Sequence, residues 1–197
     1  MRTLVFATNN RHKLQEVSEM LKGIVNIRSL AEMGLEGDIP ETADTLQGNA
    51  LQKAQWVYDR TGMDCFADDT GLEVEALGGS PGVYSARYAG EHCSFDDNID
   101  KLLAALDGEI NRRADFRTVI CLIENGEPRY FEGRVDGVIL TERYGKEGFG
   151  YDPVFLPDRF AVSFAEMPLE VKNSISHRGR AVQALVEYLS ENQKTKR

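Results

Sequence analysis

The sequence predicts an α/β fold with a mixed sheet, and three patterns support that prediction. Short apolar runs that suit buried strands alternate with segments of helical spacing, as in βα units. The strongest β run, Thr118–Ile123, precedes Asn125-Gly126, a pair typical of an antiparallel hairpin. Because βα units and a hairpin occur in one chain, a mixed sheet is favoured over a purely parallel one.

A strand and a helix begin the chain. The apolar run Thr3–Ala7 predicts a buried strand, and Asn9 and Asn10 supply capping groups for a helix. Gly23 ends that helix. Its apolar positions recur at helical spacing: Leu14, Val17, Met20 and Leu21.

Three further helices and one strand complete the prediction. A second helix is expected over 44–60 with Gly62 closing it, followed by a buried strand over 65–67 that stops at Asp68 and Asp69. A capping-box pattern at 94–97 opens a third helix. A last amphipathic helix is expected from about His177.

Composition narrows the class of protein. The chain has 197 residues and a mass of 22.0 kDa, so one domain of two lobes is expected, with 194–197 as a disordered tail. A net charge of −9 argues against nucleic-acid binding, and no run reaches the ~20 apolar residues of a membrane span. The three scattered cysteines form no disulfide or metal pattern, which favours a cytoplasmic location.

The segment Thr8–Lys13 is the first candidate site. Arg11, His12 and Lys13 at a helix start oppose the helix dipole by about 0.3–1 kcal/mol per charge. An anion bound by backbone N–H groups, the asparagine amides and Lys13 would compensate for that cost. A solvated turn whose cations face water explains the pattern equally well.

Two adjacent carboxylates, Asp68 and Asp69, form the second candidate site. They end an apolar strand, repel each other and are costly to bury without a counter-charge. Mg²⁺ or Mn²⁺ would relieve both costs, and Glu41 would add a ligand if the fold brings it near. The alternative is a loop whose aspartates cap the next turn. The apolar strand in front favours the metal site.

The other candidates are weaker when taken singly. Asn49 and Lys53 share a helix face that could present an amide and an ammonium to a phosphate, or simply lie in solvent. Phe149 between two glycines could stack on a base, although a lone Phe is more often in the core. The donors that could read a base carbonyl, or merely begin a helix, are Lys172, His177 and Arg178.

Taken together and in order, these motifs resemble the inosine triphosphate pyrophosphatase family over essentially the whole chain. Two positions depart from the family pattern: Asn9 replaces the usual Gly, and Thr70 replaces the usual Ser while keeping the hydroxyl. The matching segments are Thr8–Lys13, Glu41-Thr42, Asn49–Ala54, Ala67–Leu72, Gly78–Tyr88, Phe149–Pro153 and Ser176–Arg178.

The resemblance implies an elongated α/β fold with a long mixed sheet, two lobes and an active site in the cleft between them. It also implies a homodimer and a requirement for Mg²⁺, with Mn²⁺ as a possible substitute. The expected reaction is hydrolysis of non-standard purine nucleoside triphosphates, such as dITP, ITP and XTP, to the monophosphate and pyrophosphate. The rival hypotheses are a different nucleotide hydrolase and a non-catalytic nucleotide-binding module.

The resemblance also assigns roles to residues. Asp69 is expected to be the catalytic base, and Glu41, Asp68 and Asp69 are expected to be metal ligands. The expected substrate-binding residues are Thr8, Asn9, Asn10, Arg11, His12, Lys13, Lys53, Thr70, Phe149, Gly150, Tyr151, Asp152, Lys172, His177 and Arg178.

Overall fold

The computed structural model describes residues 1–195. Its helices are α1 (Arg11–Leu21), α2 (Leu46–Thr61), α3 (Phe95–Ala105), α4 (Leu169–Ile175) and α5 (His177–Thr195). Its strands are β1 (Arg2–Phe6), β2 (Val25–Arg28), β3 (Cys65–Val74), β4 (Pro81–Gly82), β5 (Arg113–Glu124), β6 (Glu127–Ile139) and β7 (Phe155–Pro157).

The strands form one seven-stranded mixed sheet, which confirms the predicted fold class. The order is β2-β1-β3-β5-β6-β7, with β4 paired to β3 outside that path. β1 is parallel to both β2 and β3, whereas β6–β7 and β3–β4 are antiparallel. Asn125 and Gly126 form the predicted two-residue turn between β5 and β6, with φ angles of 52° and 85° that suit a hairpin.

Local capping chemistry sets the helix starts. Asn10 accepts hydrogen bonds from the backbone N–H groups of His12 and Lys13 at the start of α1. The Thr45 hydroxyl accepts from the Gly48 N–H and caps α2, which begins at Leu46, two residues after the predicted start at position 44. A left-handed Gly62 closes the helix. α3 has the predicted capping box at Ser94.

β3 is longer than predicted. It runs from Cys65 through Asp68 and Asp69 to Val74, so the expected stop at the two carboxylates is wrong. Aspartate is depleted in strands because a buried carboxylate normally lacks a counter-charge. Here both carboxylates have buried cationic partners, described below, and the strand therefore continues.

The chain divides into two compact units. The first unit comprises residues 1–69, 118–133 and the chain from Arg178 onward. Its part of the sheet is covered on both faces, because Leu4 and Phe6 of β1 pack with α1 and α5, while Val5 packs with α2. This alternation follows from the two-residue period of a strand. The side chains that α2 contributes to its layer include Ala50, Ala54 and Val57.

The second unit comprises residues 70–117 and 134–177. Its core contains Phe116, Phe155 and Phe164 together with α3, which contributes Ile99 and Leu102. The rings of Phe116 and Phe155 meet edge to face with centroids 4.7 Å apart, a favourable aromatic geometry.

Two sequence expectations concern the whole chain. A single domain of two lobes stays a prediction. Of the tail expected to be disordered, residues 194–195 form the end of α5, and 196–197 lie outside the described residues.

Within residues 1–195, none of the helices has the length and apolar content that crossing a bilayer requires.

Candidate active site

The first group of candidate residues lies where β1 ends. β1 and β3 run parallel in the register Val5 to Cys65 and Phe6 to Phe66. β3 therefore carries Asp68 and Asp69 past the last residue of β1, where the chain turns into α1. The carboxyl end of a parallel strand that leads into a helix is a common place for ligands in α/β sheets.

Asp68 belongs to a chain of alternating charges. The Lys13 Nζ donates to one Asp68 oxygen at 3.2 Å, and the Arg178 Nε donates to the other at 3.2 Å. The Arg178 Nη1 also donates to Glu16 at 2.6 Å. The side chains of Arg178, Asp68 and Glu16 are all buried, so each charge depends on its neighbour for compensation.

The pKa values of this group follow from burial and charge. Burial favours the neutral form of Asp68, but the charges of Lys13 and Arg178 outweigh it and hold the carboxyl pKa well below its usual range. Burial lowers the pKa of the Lys13 ammonium, and the charge of Asp68 offsets only part of that effect. Lys13 and Arg178 therefore stabilise the ionised form of Asp68.

Asp69 has a different set of partners, all on or next to α2. The Lys53 Nζ donates to Asp69 Oδ1 at 3.2 Å and also to the Glu41 carboxylate. The Asn49 amide donates to Asp69 Oδ2 at 3.1 Å. Glu41 and Asp69 thus converge on one ammonium group, and Asn49 holds the remaining oxygen of Asp69.

Burial and charge act on Asp69 in opposite directions. Burial raises its pKa, and the charges of Lys53 and Lys13 offset part of the effect, so the pKa of Asp69 stays above its usual value. For Glu41, burial also acts to raise the pKa, but the charge of Lys53 outweighs it and the pKa is lowered. Lys53 is stabilised as a cation, because Asp69 and Glu41 outweigh its burial and raise its pKa.

The donor set fits a hard divalent cation. Within the described chain, no three His, Cys, Asp or Glu side chains are arranged to hold a metal ion by themselves. Mg²⁺ does not need such a cage, since it commonly takes one or two carboxylates and completes its shell with substrate phosphates and water. Glu41 and Asp69 already converge on one cationic group, that of Lys53.

Charge counting supports the same fit. The cluster contains four carboxylates, of Glu16, Glu41, Asp68 and Asp69, and three cations, of Lys13, Lys53 and Arg178. One negative charge is therefore in excess within a largely buried group. That excess negative charge attracts a cation.

The segment Thr8–Lys13 is locally organised. The Thr8 hydroxyl accepts from the Asn10 N–H at 3.1 Å, and the Asn9 amide donates to the Gly37 carbonyl at 3.1 Å. Arg11 and His12 are exposed. The charge of Lys13 is compensated by Asp68. A cation at the start of α1 therefore has a partner within the protein, in addition to any anion that binds there.

The second unit holds most of the residues expected to contact a base. The buried Asp152 carboxylate accepts from the Phe149 N–H at 2.8 Å and from the Lys172 Nζ at 2.6 Å. The Lys172 ammonium also lies 5.0 Å from the centre of the Phe149 ring. This arrangement places a buried donor against an aromatic face.

Two other candidate residues of the second unit, His177 and Tyr151, contact neighbouring residues of the same unit. His177 stacks on Phe116 with ring centroids 4.5 Å apart and planes within 13°. The Tyr151 hydroxyl donates to the Ser85 carbonyl at 2.8 Å. Gly150 takes a left-handed φ of 62°, and Thr70 is half-buried in β3 directly after Asp69.

Arg178 is held by carboxylates of the first unit. It belongs to the first unit, and its guanidinium is bound to Glu16 and Asp68. Its role in reading the base stays a prediction.

Sequence reasoning missed Glu16 and the contacts of Asn49 and Gly148. Glu16 carries no motif, and its only signal is its place beside Val17 on the buried side of α1. Asn49 was interpreted either as a phosphate contact or as part of a solvated helix face, whereas it is buried and its amide binds Asp69. At Gly148, φ is 72° and a Cβ would lie 2.1 Å from the Asp152 carboxylate, so this glycine allows the Asp152 contacts to form.

The fold and the buried cluster define a mixed α/β protein whose candidate site combines carboxylates with ammonium groups. A sequence profile described as the Ham1 family matches residues 4–188. This chain therefore belongs to the Ham1 family, and the resemblance predicted from its motifs is confirmed.

Similar proteins agree with this assignment. A dITP/XTP pyrophosphatase of Flavobacterium johnsoniae is 54% identical over 187 residues, covering 95% of this chain and 97% of the relative. A dITP/XTP pyrophosphatase of Porphyromonas gingivalis is 57% identical over 190 residues, covering 96% and 98%. The solved structure of a HAM1 protein from Coxiella burnetii matches with a TM-score of 0.89 and 38% identity, covering 97% of this chain and 100% of that one.

Proposed function

We propose that this chain hydrolyses non-standard purine nucleoside triphosphates, namely dITP, ITP and XTP, to the monophosphate and pyrophosphate. Such an activity would clear damaged nucleotides from the precursor pool. The names of the Flavobacterium and Porphyromonas relatives support the substrate class. The observation that carries the proposal is the buried cluster in which Asp69 and Glu41 share Lys53 while Asp68 binds Lys13.

In this proposal Asp69 is the general base. A water held by the Asp69 carboxylate would lose its proton to that group as it attacks the α-phosphorus. The raised pKa of Asp69 improves its ability to accept a proton. Lys13 and Lys53 would bind the pyrophosphate oxygens, on which negative charge increases as the bond breaks.

A bound Mg²⁺, or Mn²⁺ in its place, would supply charge neutralisation at the transferring phosphate. Glu41 and Asp69 are the residues proposed to hold it, with Asp68 next to them. Asp68 keeps its charge through Lys13 and Arg178, so it contributes negative potential whether or not it contacts the ion.

The residues proposed to recognise the purine lie in the second unit. Lys172 is a buried donor fixed by Asp152, and it suits the 6-keto oxygen of hypoxanthine and xanthine better than the 6-amine of adenine. Phe149 would stack on the ring, and His177 would add a further donor. The site's position in a cleft, a homodimeric state and a cytoplasmic location stay predictions from the resemblance and the composition.

A pyrophosphate-release assay tests the reaction. Purified protein would be given dITP, ITP, XTP, ATP and GTP, each with Mg²⁺ and with EDTA. We expect metal-dependent release from the first three substrates and almost none from ATP or GTP. Phosphate release instead of pyrophosphate would identify a different nucleotide hydrolase. No release from any substrate would favour a non-catalytic nucleotide-binding module.

The variant Asp69→Asn tests the base. We expect it to lose most turnover with dITP at saturating Mg²⁺ and to keep the fold. Asp115→Asn is the matched control, because Asp115 is also a largely buried carboxylate in the sheet and pairs with Arg134 in the second unit. Near wild-type turnover in Asp69→Asn would remove Asp69 from this role.

A further inference from the structure

Asn49 is completely enclosed between two parts of the first unit. Its side chain is on α2, and the residue is 1% exposed. The Asn49 Oδ1 accepts from the Ala43 N–H at 2.9 Å, and the Asn49 Nδ2 donates to Asp69 Oδ2 at 3.1 Å. One amide therefore links the segment that follows Glu41 to the carboxylate of Asp69.

The orientation of this amide is fixed by its partners. The Ala43 N–H can only donate, so the amide oxygen must face it. The NH₂ group then has to face Asp69, whose ionised carboxylate can only accept. A rotated amide would place its oxygen against the carboxylate and its NH₂ against another donor. Asn49 is thus a directional clamp rather than a general polar contact.

The clamp divides the two oxygens of Asp69 between two partners. Asn49 holds Oδ2, and Lys53 binds Oδ1. Because both oxygens are engaged, the carboxylate plane has one preferred rotation. A general base or metal ligand loses activity when its lone pairs are misaligned by as little as ~1 Å, so this rotation matters for the chemistry.

We propose that Asn49 is a positioning residue for Asp69, an inference that rests on the proposed catalytic role of that carboxylate. Asn49 fixes the rotation of Asp69 and keeps one oxygen directed away from Lys53. This differs from both sequence-based interpretations of Asn49, a phosphate contact or a residue on a solvated helix face. The prediction is a loss in kcat with dITP, with KM left nearly constant.

A purely structural explanation has to be separated from this one. Asn49 also tethers Ala43, and Gln52 makes a similar tether one residue earlier: its Oε1 accepts from the Thr42 N–H at 2.9 Å, and its Nε2 donates to the Thr42 hydroxyl at 2.9 Å. Within the part of the chain that the structure describes, the side chain of Gln52 bonds to Thr42 and not to Asp69. Gln52→Ala therefore loosens the segment after Glu41 while leaving the clamp on Asp69.

A second control removes a buried asparagine of the same kind from the second unit. Asn98 is 2% exposed; its Oδ1 accepts from the Ala89 N–H at 2.7 Å and its Nδ2 donates to the Ala86 carbonyl at 3.2 Å. Asn98→Ala therefore measures the effect of losing a buried amide bridge that touches neither Asp69 nor Lys53.

The test compares Asn49→Asp and Asn49→Ala with these two controls. Asn49→Asp keeps an acceptor for the Ala43 N–H but removes the donor to Asp69. We expect both Asn49 variants to lose about 10–100-fold in kcat with dITP while KM changes less than threefold. Gln52→Ala and Asn98→Ala should stay within threefold of wild type in kcat. Thermal unfolding of all four variants checks that each is folded.

Three kinetic results would overturn the inference. If Asn49→Asp keeps wild-type kcat, the residue only tethers Ala43. If Gln52→Ala loses as much kcat as Asn49→Ala, the effect comes from the loosened segment and not from Asp69. An effect on KM alone would return Asn49 to the role of a phosphate contact.

A crystallographic measurement separates this inference from the proposed function. In Asn49→Ala the Asp69 carboxylate should rotate away from its wild-type plane, whereas in Gln52→Ala it should keep that plane. This comparison needs no turnover. If the wild type releases no pyrophosphate, the proposed function is wrong. The orientation of Asp69 in the two variants then still shows whether Asn49 fixes this carboxylate. An unrotated Asp69 in Asn49→Ala would refute the clamp even in an active enzyme.

Discussion

The ion pair of Glu16 and Arg178 gives a quantitative prediction for stability. The two side chains are 5% and 2% exposed, and the Arg178 Nη1 lies 2.6 Å from Glu16. Glu16→Ala leaves a buried guanidinium without one of its two carboxylates. Removing one member of a buried pair costs about 3–5 kcal/mol, and because Asp68 remains, we expect a loss near the lower end, about 3 kcal/mol.

The chain offers an exposed pair as a matched control. Arg113 donates two hydrogen bonds to Asp158, at 2.8 and 2.9 Å, but the two side chains are 43% and 47% exposed. Because solvent screens exposed pairs, Asp158→Ala should cost about 0–1 kcal/mol. The donor–acceptor distances are similar in the two pairs, at 2.6 Å and at 2.8–2.9 Å, and the exposed pair has the additional hydrogen bond. A larger loss in Glu16→Ala would therefore come from burial and not from a better contact in the wild type.

Urea unfolding measures both variants. The single tryptophan, Trp56, lies on α2 in the first unit, the same unit as Glu16 and Arg178, and provides a fluorescence signal. With a slope of about 2–3 kcal/mol per molar urea, a loss of about 3 kcal/mol lowers the midpoint by about 1 M or more. Equal midpoint shifts in Glu16→Ala and Asp158→Ala would refute the argument from burial.

Three other predictions concern single residues. Gly148→Ala should destabilise the protein by about 1–3 kcal/mol more than Gly150→Ala. Both glycines have positive φ angles, but only a Cβ at Gly148 would contact Asp152, at 2.1 Å. Thermal unfolding measures the difference, and equal losses of stability in the two variants would contradict the steric argument. Burial raises the pKa of the Cys65 thiol to about 12, above its value in the unfolded chain. Above about pH 8.5 the unfolded chain loses this proton while the folded protein keeps it, so the free energy of unfolding falls as the pH rises. Between pH 7.5 and 10, the free energy of unfolding of the wild type should therefore fall by about 1–2 kcal/mol more than that of Cys65→Ala. Equal decreases in the two proteins would contradict this prediction. Lys13→Ala should weaken binding of a triphosphate more than of a monophosphate in calorimetry, and equal weakening would argue against a phosphate clamp.

Local signals in the sequence predicted the helix caps and the hairpin turn, but not α4 or the short strands β2, β4 and β7. The caps at Asn10 and Ser94 and the turn at Asn125-Gly126 depend on a few neighbouring residues, and each occurs as expected. The strand stop at Asp68 was wrong because the partners that make a buried aspartate acceptable lie far away in the chain. Arg178 is 110 residues from Asp68, a pairing that no local pattern contains.

The candidate site shows the same limit. Residue types grouped Glu41 with Asp69 as carboxylates for a metal ion, and only the family resemblance added Lys53 to the same site. The structure brings these three side chains together. The partner of each side chain could not be predicted, since it depends on which helix covers which face of the sheet. For Asn49 the sequence therefore left a phosphate contact and a solvated face open, whereas its amide binds a carboxylate.

The alternation of side chains along β3 separates its two neighbouring carboxylates. Asp68 binds groups from α1 and α5, whereas Asp69 binds groups from α2. Adjacent residues in a strand point to opposite faces, so the two carboxylates occupy different environments with no intervening residue. Deleting one residue between Cys65 and Asp68 would move each aspartate to the opposite face. The spacing of this strand thus fixes which carboxylate is held ionised and which can take up a proton.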